Sequence, residues 1–190
     1  IEEGFADSKI VLIAHSLGCV AVAHWAQYAS PAIRHHIAGA LLVAPADTER
    51  NGAPDVLKKF GPVPLNHLPF PSVLIGSTNE AAATAERAIL FGRAWGSKIA
   101  ILANAGHINV RSGHTTWESG FRYLFQLQQL ITQIASTRKS CQISDQQHWQ
   151  DDKTNNPGLH RNRPDTGIPI AHAFLPLPPR QSGQGCATLR

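Results

Sequence analysis

A serine in a sharp turn is the residue most suited to nucleophilic chemistry in this chain. Ser16 is the centre of residues 14–18 (Ala-His-Ser-Leu-Gly), which lie between an apolar run rich in β-branched residues and a helix pattern. A strand that turns tightly into a helix with serine at its apex is the setting of a nucleophile elbow, usually G-x-S-x-G. Ala14 makes this a one-methyl variant. The competing interpretation is an ordinary strand–helix turn in which Ser16 caps the helix.

A serine hydroxyl is a poor nucleophile until a base accepts its proton, so the hypothesis needs a histidine. His107 is the best candidate, because it follows an apolar run through a flexible Ala-Gly step. The competing interpretation is a loop histidine that is simply exposed to solvent. His114 is a second candidate base. His15 is expected to pack beneath the turn.

A carboxylate must fix the tautomer of the histidine and stabilise its charged form. Glu80 follows the third apolar run and is the favoured acid, although it could instead be a first-turn helix residue favoured by the helix dipole. Asp47, after the preceding run, is the alternative acid. With Glu80 or Asp47, the chain order is Ser, acid, His, as in α/β-hydrolases. The backbone N–H of Leu17, directly after the serine, is the expected oxyanion donor.

Four apolar runs alternate with helix patterns, which predicts an α/β fold with a mostly parallel sheet flanked by helices. The predicted strands are residues 9–14, 37–44, 72–76 and 98–103, and the principal predicted helices are residues 19–29, 81–95 and 116–134. The proline-rich segment 51–71 is long enough to cover a site at the sheet edge.

Bulk composition limits the range of partners. Residues 1–136 carry ten Lys or Arg against nine Asp or Glu, so the net charge of +4 comes mostly from residues 137–190. A nearly neutral core gives no reason to expect nucleic acid or an anionic membrane as a partner. Three widely spaced cysteines suit a reducing, cytoplasmic location. Nothing implies a metal ion or a cofactor.

The chain is expected to divide at about residue 136. Residues 1–136 are predicted to form an α/β-hydrolase core. Residues 137–190 lose strand periodicity and are rich in Gln, Asn, Asp, Pro, Arg and Gly. Such a segment buries too little apolar surface to offset its ordering entropy, so a disordered, low-complexity tail is predicted.

Several linked motifs resemble the retinoblastoma-binding-protein-9-type serine hydrolases, a family of small α/β-hydrolases, over residues 1 to about 135. The motifs are residues 14–19 (Ala-His-Ser-Leu-Gly-Cys), 38–45 (Ala-Gly-Ala-Leu-Leu-Val-Ala-Pro), 68–71 (Leu-Pro-Phe-Pro), 73–78 (Val-Leu-Ile-Gly-Ser-Thr), 94–96 (Ala-Trp-Gly), 105–109 (Ala-Gly-His-Ile-Asn), 112–113 (Ser-Gly) and 117–120 (Trp-Glu-Ser-Gly). The resemblance implies Ser16 as nucleophile, His107 as base and, at the usual aspartate position, Glu80 as acid. Family members begin upstream with a strand and a loop that supplies a second oxyanion donor. The chain is therefore expected to be an amino-terminally truncated member.

The resulting hypothesis is a serine hydrolase, carboxylesterase-like, that cleaves small carboxylic esters through an acyl-enzyme. The glutamate at the acid position and the unusual tail motivate an alternative, a catalytically weak α/β-hydrolase-fold protein that binds a protein partner. A dehalogenase or lyase on the same fold is a lesser alternative, because dehalogenases commonly carry a carboxylate where this chain has Ser16.

Overall fold

A computed structural model describes residues 8–155 of the chain. Its centre is a four-stranded sheet with strand order β1-β2-β3-β4, and every neighbouring pair of strands is parallel. The strands are β1 (Ile10–His15), β2 (Ile37–Val43), β3 (Ser72–Ser77) and β4 (Lys98–Leu102). The prediction of four parallel strands is confirmed, with ends that differ from the predicted ones by one residue at most.

The helices fall between and after the strands, as a parallel sheet requires. They are α1 (Leu17–Tyr28), α2 (Pro31–His35), α3 (Asp55–Lys58), α4 (Ala85–Trp95) and α5 (Gly120–Asn155), with a short 3-10 helix at Val110–Ser112. The start of α4 differs from the predicted residue 81. Thr84 caps this helix, because its hydroxyl accepts a hydrogen bond from the Arg87 backbone N–H.

Alternate residues of the strands point into two separate apolar clusters. In β2 and β3, Leu42 and Leu74 belong to the cluster that includes α1 and α4, whereas Leu41 and Ile75 belong to the cluster that includes the first turns of α5. Successive side chains of a strand point to opposite faces. The sheet is therefore covered on both faces, which explains why its strands are continuous apolar runs.

The last helix is longer than predicted. It was expected to end near Ile134 but continues to Asn155, so residues 137–155, predicted to be disordered, are helical. The sequence contains no Pro or Gly from residue 121 to residue 156, and Pro157 follows. Composition was thus a weaker guide than the absence of helix-breaking residues. The rest of the predicted tail, residues 156–190, lies outside the described residues.

A close approach between α4 and β4 provides a test of this packing. A Cβ atom on Gly92 would lie 2.5 Å from Ile99 Cγ1. Gly92→Ala should lower the free energy of unfolding by up to about 2 kcal/mol, because an overpacking cost of roughly 1–3 kcal/mol is offset only in part by the gain of about 1 kcal/mol in helix propensity. Urea unfolding measures the difference.

Gly18→Ala is the matched control. A Cβ atom there would meet only the Ala14 Cβ, at an ordinary contact distance of 3.7 Å. The control should unfold within about 1 kcal/mol of the parent chain. A Gly92→Ala variant as stable as the Gly18→Ala variant would contradict the packing described here.

Candidate active site

The turn between β1 and α1, called here the Ser16 turn (residues 14–18), holds its serine in an unusual backbone conformation. Ser16 has φ 56° and ψ −122°, a region that L-residues rarely adopt. Two hydrogen bonds to neighbouring segments stabilise it: the Ser16 N–H donates to the Val43 carbonyl (2.9 Å), and the Ala46 N–H donates to the Ser16 carbonyl (3.3 Å). The strained serine is therefore fixed by the end of β2.

The Ser16 side chain does not cap α1. No cap hydrogen bond forms from its hydroxyl to the helix backbone. Instead, Ser16 Oγ lies 2.9 Å from Nε2 of His107. The helix-capping interpretation of Ser16 is therefore wrong, and its hydroxyl faces the His107 imidazole.

The second ring nitrogen of His107 contacts a carboxylate. His107 Nδ1 lies 2.8 Å from Oε1 of Glu80. An ionised carboxylate can only accept a hydrogen bond. Nδ1 therefore carries a proton and donates a hydrogen bond to Glu80. This tautomer leaves Nε2 as an acceptor for the Ser16 hydroxyl. The ring is half-buried, and both of its nitrogens are directed at oxygen atoms.

Glu80 is almost completely removed from solvent. Its side chain is 3% exposed, and Oε1 also accepts a hydrogen bond from the Ala82 backbone N–H (2.9 Å). Oε2 is buried and has no hydrogen-bond partner among the described residues. Because α4 begins only at Ala85, the interpretation of Glu80 as a first-turn helix residue is wrong. The His107 ring and the Ala82 backbone N–H therefore supply the hydrogen bonds that this carboxylate would otherwise receive from water.

The alternative acid has a different partner. Asp47 is also buried, but its Oδ2 forms an ion pair with Arg87 Nε (3.1 Å), and its Oδ1 accepts from the Glu49 backbone N–H. Arg87 in addition contacts Glu49 (2.7 Å). Asp47 thus belongs to an ion-pair group beside α4 and does not contact His107. The second candidate base also has a different partner, since His114 Nδ1 lies 3.3 Å from Ser112 Oγ.

Three polar residues that sequence reasoning did not single out hold the loop that carries His107. The side chains of Thr78, Ser77 and Asn79 accept hydrogen bonds, respectively, from the backbone N–H groups of Asn104 (2.9 Å), Ala105 (3.0 Å) and Gly106 (2.7 Å). The signal in the sequence is a run of short polar residues at the carboxyl end of β3, facing the loop after β4.

Leu17 is the first residue of α1. The backbone N–H of a first helical residue has no acceptor within the helix and points out from its amino-terminal end. Leu17 directly follows Ser16 in the sequence, so this N–H belongs to the residue next to the serine. The dipole of α1 also favours a negative charge at this end of the helix.

Comparison with known proteins places the chain in a family. A family model described as serine hydrolase matches residues 4–126, which is most of the chain. The chain belongs to the serine hydrolase family. No curated protein matches the sequence. The matched region includes all of the residues in the hydrogen-bonded chain from Ser16 through His107 to Glu80.

Among the similar solved structures, a hydrolase with a TM-score above 0.5 shows the fold. A YdeN-like hydrolase from Pectobacterium atrosepticum is 29% identical with a TM-score of 0.55, and the match covers 67% of this chain and 63% of that one. The chain thus spans less than two thirds of that hydrolase. An esterase domain from a Rhodothermus marinus protein (18% identical, TM-score 0.40, covering 54% of each chain) and a monoacylglycerol lipase from Paleococcus ferrophilus (16%, TM-score 0.42, covering 66% of this chain and 69% of that one) are further matches. The fold is that of the α/β-hydrolases.

No group of three or more His, Cys, Asp or Glu side chains within residues 8–155 has an arrangement that would hold a metal ion. Among the helices described, none has the length and apolarity needed to cross a membrane.

The thiol beneath the Ser16 turn provides a test of the local structure. Cys19 is fully buried, and its Sγ contacts the carbonyl oxygens of Ala14 and Val43, each at 3.4 Å. Burial raises the pKa of the Cys19 thiol to about 12. At pH 8 the thiol stays protonated and shielded, so iodoacetamide should leave Cys19 unmodified in the native chain.

Peptide mass spectrometry measures this modification, with the urea-denatured chain as the control. The denatured chain should be alkylated at Cys19. Rapid alkylation of Cys19 in the native chain at pH 8 would contradict the packing of α1 against the strands.

Proposed function

We propose that this protein hydrolyses small carboxylic esters through an acyl-enzyme, with Ser16 as nucleophile, His107 as base and Glu80 as the acid of a catalytic triad. The observation that carries the proposal is the continuous hydrogen-bonded chain from Ser16 Oγ through both ring nitrogens of His107 to Glu80 Oε1, with distances of 2.9 and 2.8 Å. The base is within hydrogen-bond reach of the nucleophile on one side and of the orienting group on the other, which is the geometric criterion for a triad.

In the acylation step, Ser16 Oγ forms a bond to the carbonyl carbon of the ester while His107 Nε2 accepts the serine proton. The carbonyl π electrons move to the oxygen, and the Leu17 N–H donates a hydrogen bond to this oxyanion. The intermediate collapses with cleavage of the bond to the alcohol oxygen. His107 gives its proton to the departing alcohol, and Glu80 stabilises the imidazolium that exists between the two transfers.

Deacylation repeats the sequence with water. His107 Nε2 takes a proton from water as the water oxygen attacks the acyl carbon. The proton then passes from His107 Nε2 to Ser16 Oγ as the carboxylic acid leaves. No step requires a cofactor or a metal ion. The strained backbone of Ser16 supports the proposal, because unfavourable φ/ψ values concentrate at functional sites where the surroundings can maintain them.

Within the serine hydrolase family, the motifs around Ser16 and His107 favour a relationship to the retinoblastoma-binding-protein-9-type hydrolases. We assign the catalytic domain to residues 1–136 and expect a cytoplasmic protein. A screen of small carboxylic esters would identify the preferred acyl group.

Removal of the nucleophile tests the reaction class. Ser16→Ala should abolish turnover of p-nitrophenyl acetate, with a loss of at least about 10³-fold, because no other group can form the acyl-enzyme. Ser30→Ala is the control: Ser30 caps α2 and lies outside the site, so the variant should retain the parent rate. Protein binding without ester turnover in the parent chain would favour the non-catalytic alternative.

The acid is tested by a pair of isosteric substitutions. Glu80→Gln should lower kcat by about 10⁴-fold, since an amide in place of the carboxylate favours the wrong tautomer of His107. Asp47→Asn should leave kcat within about threefold of the parent and act mainly on stability, because it weakens the ion pair with Arg87. The reverse pattern, with kcat lost in Asp47→Asn and retained in Glu80→Gln, would reassign the acid.

A further inference from the structure

Two consecutive residues of the Ser16 turn contact the same histidine from different sides. Ser16 Oγ lies 2.9 Å from the His107 ring nitrogen Nε2, and His15 Nε2 lies 2.8 Å from the His107 backbone carbonyl oxygen. The two imidazole rings are also in contact, with centroids 4.7 Å apart and planes inclined by 59°. The prediction that His15 packs beneath the turn is wrong. Its side chain is exposed and contacts the loop after β4.

The chemistry of the bond fixes its direction. A carbonyl oxygen has no proton to donate, so His15 Nε2 must be the donor. This requirement selects the Nε2–H tautomer of a neutral imidazole. The charged imidazolium carries a proton on the same nitrogen and can donate in the same way.

The loop that receives this bond has a strained backbone. Asn104, Gly106 and Ile108 all have positive φ values, of 52°, 56° and 46°. For Ile108 the conformation is especially costly, because its side chain is β-branched. Such a conformation persists only where surrounding contacts over-determine it.

Those contacts come from two directions. Side chains at the end of β3 accept hydrogen bonds from the N–H groups of residues 104–106, which holds the first half of the loop. His15 supplies the corresponding contact on the other side, at the carbonyl of His107. The base is therefore held between β3 and the turn that carries the nucleophile.

We infer that His15 is a positioning residue that fixes the His107 backbone relative to Ser16. Its hydrogen bond goes to the His107 backbone carbonyl and to neither Ser16 Oγ nor His107 Nε2, so it acts through the position of His107. The catalytic consequence rests on the function proposed above. The structural consequence, a stabilised loop at residues 104–108, does not depend on it.

Two variants separate the hydrogen bond from the bulk of the side chain. His15→Leu removes the donor, whereas His15→Gln keeps an N–H donor on a side chain of similar length. His35→Ala is the matched control, because His35 is an exposed histidine on α2. With p-nitrophenyl acetate, kcat should fall about three- to tenfold in His15→Leu with little change in KM, and His15→Gln should recover most of the loss.

Hydrogen exchange measured by mass spectrometry provides a readout independent of turnover. Amides in peptides that cover residues 103–109 should exchange about three- to tenfold faster in His15→Leu than in the parent chain, and His15→Gln should exchange near the parent rate. Amides of β3 and the His35→Ala variant should be unchanged.

Unchanged exchange in residues 103–109 of His15→Leu would overturn the inference, whatever the kinetics. Equal defects in the Leu and Gln variants would also overturn it, because they would implicate ring packing instead of the hydrogen bond. A parent chain without ester turnover would contradict the proposed function, and the exchange measurements would then decide the role of His15 alone.

Discussion

The parallel pairing of the four strands is the constraint on which the site depends. Ser16 follows β1, Glu80 follows β3, and His107 follows β4, so these side chains come from residues separated by as many as 91 positions in sequence. Parallel strands end at the same edge of a sheet, and the loops after them meet there. Apolar packing on both faces keeps the strands in register, and hydrogen bonds between the loops then set the distances within the site.

The loops at this edge are held in conformations that isolated peptides would avoid. Positive φ values occur at Ser16, Ala44, Asn104 and Ile108, which lie in the segments that follow β1, β2 and β4. Each lies beside a hydrogen bond to another loop or strand, so the stability of the sheet maintains the strain. The buried Glu80 carboxylate is maintained in the same way, with His107 as its partner. In the proposed mechanism, this hydrogen-bonded arrangement is already formed before substrate binds.

Much of this organisation could be predicted from the sequence, and the failures have physical causes. Continuous apolar runs located all four strands, because a strand buried on both faces needs apolar side chains throughout. Position after the third strand and the family resemblance both favour Glu80 as the partner of His107. The pairing of Asp47 with Arg87 depends instead on side chains from distant segments, which periodicity does not relate. The hydrogen bond from the His15 side chain to the His107 carbonyl joins residues 92 positions apart, and no local pattern reveals it. The prediction that α5 ends near residue 134 is wrong, because a run without Pro or Gly favours a helix even when its composition is polar.

The proposed mechanism makes Ser16 the activated nucleophile of a serine hydrolase. The most direct test is reaction of the native 190-residue chain with a fluorophosphonate, followed by peptide mass spectrometry to locate the adduct. We predict one phosphonyl adduct per chain, on the Ser16 hydroxyl, and none in the Ser16→Ala variant. An unlabelled native chain, or an adduct that persists at another residue in Ser16→Ala, would contradict the account.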